Sequence, residues 1–125
     1  MNIPEGYQTV MVYLIVDGAS QFLDFSRHVF NAVEKKEART MRDENTIQHS
    51  EIRIGDSTIM FADSTEEAKP RTAGFFIYVE NADETYKKAI ARGAAAVSGL
   101  SDKSYGRSGG VKDPFGNIWW ITSVQ

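Results

Sequence analysis

FFIYVENADETYKKAIARG, residues 75–93, changes its periodicity partway along. Its first five residues are aromatic or β-branched and short enough in span for a strand. Asn81, with Glu84 three residues on, has the makings of a capping box, in which each side chain can reach the other's backbone N–H. Tyr86, Ala89 and Ile90 then fall on one helical face, and Gly93 can take the left-handed conformation that ends a helix. The same order is written earlier in the chain. Residues 9–16 (TVMVYLIV) read as a strand, and Asp17 offers an N-cap acceptor. Over 19–30, Phe22, Phe25 and Val29 recur at helical spacing, with Leu23 and Phe30 widening the stripe. Setting Val16 against Val79 aligns both strands and both helix starts.

Three further strands are expected after each helix: 34–42, 46–54 and 57–62 in the first half, and 95–100, 107–112 and 117–122 in the second. Ile54-Gly55-Asp56-Ser57 punctuates one hairpin. Asp113-Pro114-Phe115-Gly116-Asn117 punctuates the other, with proline fixing φ, Asp113 accepting from nearby N–H groups and Gly116 free to take φ > 0. The polar stretch 63–72 connects the halves. The expectation is an α+β single domain over 1–125, built of two βαβββ modules (about 7–63 and 73–125). They would form a curved mixed sheet that encloses a cleft, with helices on the convex side. Strand alternation sends Val12, Leu14, Val16, Phe75, Ile77 and Val79 to the helices, and Met11, Tyr13, Ile15, Gly74, Phe76 and Tyr78 inward. Trp119 should be core, with Trp120 on the inner face.

Composition narrows the function. The 125 residues are 42% hydrophobic and 25% charged, ordinary globular values with enough chain for a real core. Seventeen acidic against fourteen basic residues leave a net charge of −3, so no positive field invites nucleic acid. No apolar run reaches the roughly eighteen residues a membrane span requires. The first residues lack the basic flank and apolar stretch of a signal peptide. The absence of cysteine removes disulfides and thiolate chemistry and suits a reducing compartment, so a cytoplasmic location is expected.

Four stretches, TVMVYLIVDGASQFLDF, QHSEIRIGDSTIMFAD, GFFIYVENADETYKKAIARGA and YGRSGGVKDPFGNIWWI, resemble the vicinal oxygen chelate superfamily of glyoxalase I, extradiol dioxygenases and bleomycin-resistance proteins. The second and fourth are most similar to its PhnB-like branch. The resemblance implies a homodimer, and it implies that metal-binding relatives take ligands at the positions of Met11, Met60, Gly74 and Trp120. Glycine brings no side chain, tryptophan only donates, and a thioether is neutral and soft, so no divalent metal and no cofactor are expected. That leaves glyoxalase, dioxygenase and epimerase chemistry without its usual Lewis acid.

The polar inner positions lie on 46–54. If Ser50, Ile52 and Ile54 face the helices, His49, Glu51 and Arg53 face inward. His49 and Glu51, two apart, suit a base with its orienter or a relocated metal, while Glu51 with Arg53 suits an ordinary ion pair. Arg107, in a glycine-rich loop, suits a clamp for carboxylate or phosphate, or else a solvated surface. Tyr13, Phe76, Tyr78 and Trp120 make an aromatic lining, with the Met60 thioether beside it, for a planar or hydrophobic ligand, or alternatively a core or dimer seam. His28 and the pairs Lys35-Lys36 and Lys87-Lys88 read as solvated surface. The leading expectation is a small-molecule-binding protein without the usual divalent metal. The alternatives are a lyase or isomerase using His49 and Glu51, and a drug- or toxin-sequestering resistance protein.

Overall fold

The computed structural model describes residues 1–124. The fold is α+β, with a βαβββ plan in each of two compact units, Met1–Arg71 and Thr72 onward. In the first unit β1 (Val12–Val16) leads into α1 (Ala19–Phe30), followed by β2 (Val33–Glu34), β3 (Thr40–Met41), β4 (Ile47–Ile54) and β5 (Ser57–Asp63). The sheet order is β1-β5-β4-β2, with β1 parallel to β5 and β3 paired to β4. In the second, β6 (Gly74–Tyr78), α2 (Ala82–Ala91), β7 (Ala95–Lys103), β8 (Gly106–Lys112) and β9 (Ile118–Ser123) give the order β6-β9-β8-β7. No helix among the described residues is long and apolar enough to cross a membrane.

Alternation sorts the first sheet as its sequence requires. Leu14, Val16, Ile52, Ile59 and Phe61 are buried with Phe22, Leu23, Phe25 and Val29 of α1, and the Phe22 and Phe61 rings meet at 5.2 Å. Ile47 is buried although Ser50, three residues on, is buried too. A bulge explains this: Thr40 and Met41 pair with His49 and Ile47, leaving Gln48 as the extra residue that resets the alternation.

Three local expectations change. The strand expected over 34–42 is broken into β2, a 3-10 turn (Lys36–Ala38) and β3. Glu34 and Arg39 form a bidentate pair at 2.6 and 2.7 Å, whereas five residues of extended chain would hold them roughly 16 Å apart. The break lets a buried carboxylate find its cation. Second, Asp17 does not cap α1. Gly18 sits at the N-cap in the left-handed region, Asp17 bonds Ser64, and the Ala19 N–H is received by Asp63 Oδ1 at 2.8 Å. Asp63 Oδ2 also accepts from the Ile47 N–H at 2.6 Å, so one carboxylate ties helix to sheet. Third, β7 runs on to Lys103.

In the second unit, Asn81 caps α2 by accepting from the Glu84 N–H. The far end closes as a Schellman motif: Gly93, at φ +101°, donates to Ile90 O, and Ala94 donates to Ala89 O. The Gly109-Gly110 pair of β8 serves both faces. A Cβ on Gly109 would meet the Tyr86 ring of α2 at 3.0 Å, and one on Gly110 would meet the Trp120 ring at 2.5 Å. Trp119 is buried and stacks on Phe75, with centroids 4.2 Å apart.

Candidate functional site

On the face of the first sheet away from α1, Glu51 of β4 stands beside Met60 of β5, which stands beside Tyr13 of β1. Paired residues project to the same side, so three strands present one lateral row. His49, two residues before Glu51, bridges its ends. Its Nε2 lies 2.7 Å from Glu51 Oε2, and its Nδ1 lies 3.1 Å from Tyr13 Oη. The other Glu51 oxygen accepts from Tyr7 Oη at 2.6 Å, and Lys35 Nζ donates to Tyr7 Oη at 3.0 Å. The connected array is therefore Tyr13–His49–Glu51–Tyr7–Lys35.

Glu51 is 3% exposed, and its charge state governs the array. Burial pushes its carboxyl up. The hydrogen bonds from Tyr7 and His49, and the positive charges of His49 and Lys35, more than offset this and hold it below the usual range. Lys35 is held above its usual range by the Tyr7 hydrogen bond, against desolvation and with help from Glu51 and Glu37. An ionised carboxylate only accepts, so the His49 proton facing it is on Nε2. When the ring is neutral, Nδ1 is a lone pair and Tyr13 donates to it. Tyr13 is 47% exposed, so the array runs from a buried anion to a phenol open to a ligand.

Residues 5–8 fasten over the other end of β4. Thr58 Oγ1 donates to Gly6 O at 2.7 Å, the Thr58 N–H donates to Gln8 Oε1, and Gln8 Nε2 donates to Asp56 O. Beneath this strap is a pocket of about 310 Å³, lined by Gly6, Tyr7, Lys35, Glu51, Arg53 and Thr58 among others. Sequence reasoning missed Tyr7 and took Lys35 as solvated surface. Tyr7 lies 44 residues from Glu51, so no local periodicity marks it. The expected Glu51–Arg53 ion pair is replaced: Glu51 takes its protons from Tyr7 and His49, and Arg53 turns into the pocket.

The second unit presents its own apolar face. Phe76 and Trp120 are register neighbours on β6 and β9, and Tyr78 and Tyr105 approach the Phe76 ring at 5.3 and 5.9 Å. All four are exposed. Arg107 is not on that face. Like Gly109, it turns toward α2, where Asp83 takes its guanidinium through two bonds of 2.6 and 3.2 Å and Asp102 through one of 3.1 Å. These carboxylates occupy the fork expected to clamp a ligand, and Arg107 in turn holds Asp83 below the usual carboxylate range. His28 is a surface residue bonded to Asp24 O.

Met11, Met60, Gly74 and Trp120, the positions at which metal-binding relatives would take ligands, offer two thioethers, no side chain and an indole. Taken one by one, none of these groups is the imidazole or carboxylate donor that a divalent ion prefers. Among the described residues, no three His, Cys, Asp or Glu side chains gather where they could hold one.

The Glyoxalase/Bleomycin resistance protein/Dioxygenase superfamily model matches residues 8–121. An uncharacterized protein of Mycobacterium bovis is 30% identical over 119 residues, spanning 86% of this chain and 77% of the relative. One from Mycobacterium tuberculosis is equally identical, with 86% and 69% covered. Among solved structures, TioX from Micromonospora sp. ML1 aligns with a TM-score of 0.75 at 22% identity, over 94% of this chain and 99% of that one. A PhnB protein from Bacillus cereus gives 0.75 at 20%, over 94% and 100%. A glyoxalase/bleomycin resistance protein/dioxygenase family enzyme from Burkholderia phytofirmans PsJN gives 0.72 at 19%, over 92% and 97%. At these identities the structures share the fold.

Proposed function

Since the chain belongs to the glyoxalase/bleomycin resistance protein/dioxygenase superfamily, we propose that it binds a small molecule against Tyr13, His49 and Met60 of its first module, without the usual divalent ion. The observation that carries this reading is the Tyr13–His49–Glu51 array. A buried, ionised carboxylate fixes an imidazole, which in turn aims an exposed phenol. Such an array is a costly way to build an ordinary surface, and it preorganises polar contacts for a ligand. Phe76, Tyr78 and Trp120 give the second module a surface suited to stacking a planar group. Sequestration of a drug or toxin is the same reading with a different ligand, and resistance conferred on cells would identify it. The homodimer and the cytoplasmic location belong to this proposal as well, and sedimentation of the purified protein tests the dimer.

The test is a thermal-shift screen of metabolites against the wild type, Tyr13→Phe and His49→Ala. A ligand at a hundredfold excess over its Kd stabilises by about 2.7 kcal/mol. The expected hits shift the wild type and lose most of that shift in both variants. Hits that shift all three proteins equally would place the ligand elsewhere.

The order of the array also favours an enzymatic reading, a lyase or isomerase with His49 as base. A substrate O–H or acidic C–H beside Tyr13 Oη would pass its proton to the phenol oxygen as the phenol proton moves to His49 Nδ1. Glu51 balances the resulting imidazolium. Return of that proton to a neighbouring substrate atom completes an isomerisation with no external reductant or oxidant. Solvent deuterium incorporated into a bound ligand by the wild type, and not by His49→Ala, would select this reading over simple binding.

A further inference from the structure

We propose that the pocket under residues 5–8 takes a small monocarboxylate, gripped by Arg53 and Lys35. The proposal rests on the small-molecule-binding reading and names a ligand class for the same module. Around the pocket the buried carboxylates are already paired, while donors are left over. Both Glu51 oxygens are taken by Tyr7 and His49. Both Glu34 oxygens are taken by Arg39, one of them shared with Ser50. The Thr58 hydroxyl is given to Gly6 O. Lys35 has given one ammonium proton to Tyr7 and keeps two. Arg53 is half-buried and, among the described residues, has neither a hydrogen-bond nor an ion-pair partner.

That imbalance is specific. Arg27, Arg39 and Arg107 each hold a carboxylate; Arg42, Arg71 and Arg92 do not, but they are exposed to water, whereas Arg53 is half-buried. A guanidinium drawn partly out of water with nothing to donate to is unfavourable until an acceptor arrives. Its planar fork matches a carboxylate bidentately, and the Lys35 ammonium adds a point charge beside it. Two features set the size and charge of the guest. The 310 Å³ volume is about twice the ~150 Å³ cavity that admits benzene, and Tyr7 and Val33 supply apolar wall, so an aromatic ring fits behind the carboxylate. Glu5 and Glu37, both exposed, stand on the rim and disfavour guests with more than one negative charge. The clamp expected of Arg107 from sequence is thus supplied by Arg53, whose side chain no acid among the described residues holds.

Calorimetric titration with acetate, benzoate and phenylacetate, and separately with inorganic phosphate, tests the assignment at fixed ionic strength. The expected result is saturable binding of benzoate or phenylacetate, tighter than acetate and tighter than phosphate. Arg53→Gln weakens it about tenfold or more, and Lys35→Met weakens it by a smaller factor. Amide spectra of Arg53→Gln that overlay the wild type outside the pocket confirm that the variant is folded. Loss of carboxylate binding while metabolite hits still depend on Tyr13 would overturn the pocket assignment alone. Carboxylate binding with no Tyr13-dependent hit would instead defeat the other reading. Equal affinity in wild type and Arg53→Gln, or phosphate binding more tightly than every monocarboxylate, would overturn the proposal.

Discussion

Trp119 gives its indole N–H to Asp113 Oδ2 at 2.9 Å, across the turn that joins β8 to β9. The same carboxylate accepts from the side chain of Asn117 and from the backbone N–H groups of Phe115 and Asn117. Asp113 is 3% exposed, so its charge is balanced by four donors rather than by water. DPFGN is therefore a folding device that seats the largest core side chain of its module. Asp113→Ala strands those donors and should cost about 2–4 kcal/mol, read as a lower denaturation midpoint with a red-shifted Trp119 emission. An unchanged midpoint would show that the turn forms without its carboxylate.

The Trp120 ring lies over the bare Cα of Gly110, so Gly110→Ala should displace the indole rather than merely stiffen the strand. Overpacking of this kind costs about 1–3 kcal/mol. The measurement is Trp120 emission in a Trp119→Phe background, where greater exposure and easier quenching are expected. Unchanged quenching would mean the sheet absorbs the methyl by another route.

Acid stability should depend on Glu34. Its hydrogen bonds from Arg39, opposed by burial and aided by Ser50, hold its carboxyl below the ordinary 4.5. A lowered folded-state value means the unfolded chain binds the proton more tightly. The stabilisation is thus present above pH 4.5 and is lost as pH falls through the lowered value. Arg39→Ala leaves a buried carboxylate without its cation. Because the Arg39 side chain is 37% exposed, the cost is set below that of a fully buried pair, at about 2 kcal/mol at pH 7. Glu34→Gln should flatten the acid limb of the stability curve, and a limb that keeps its slope would assign it to other carboxylates.

The repeat was readable from sequence because strand and helix periods are local. Alternation alone separated Trp119 from Trp120 and His49 from Ser50, and Asp113-Pro114-Phe115-Gly116-Asn117 carried its own turn chemistry. What sequence concealed was contact between distant or competing partners. Asp63 caps α1 from the far end of β5, so Asp17, the nearer acid, was the natural but mistaken choice. Glu34 and Arg39 interrupt a plausible strand because a buried carboxylate outweighs the propensity of a few edge residues. Arg107 looked free because Asp83 reaches it from another element, and Tyr7 looked incidental because Glu51 reaches it across the sheet.

Glu51→Gln should uncouple the array without leaving a cavity. The amide can donate as well as accept, so His49 is no longer held in one tautomer. Ligands that depend on Tyr13 and His49 should bind about tenfold or more weakly in the thermal-shift comparison. Full retention of affinity would make the Glu51 charge dispensable.

The most direct measurement is the ring ¹⁵N spectrum of His49, assigned by comparison with His49→Ala and recorded where the imidazole is neutral. The expected result is a proton on Nε2 and a lone pair on Nδ1, with that preference lost in Glu51→Gln. A proton on Nδ1 in the wild type, or a spectrum that Glu51→Gln leaves unchanged, would contradict the assignment of the Tyr13–His49–Glu51 array as the ligand-facing machinery of this chain.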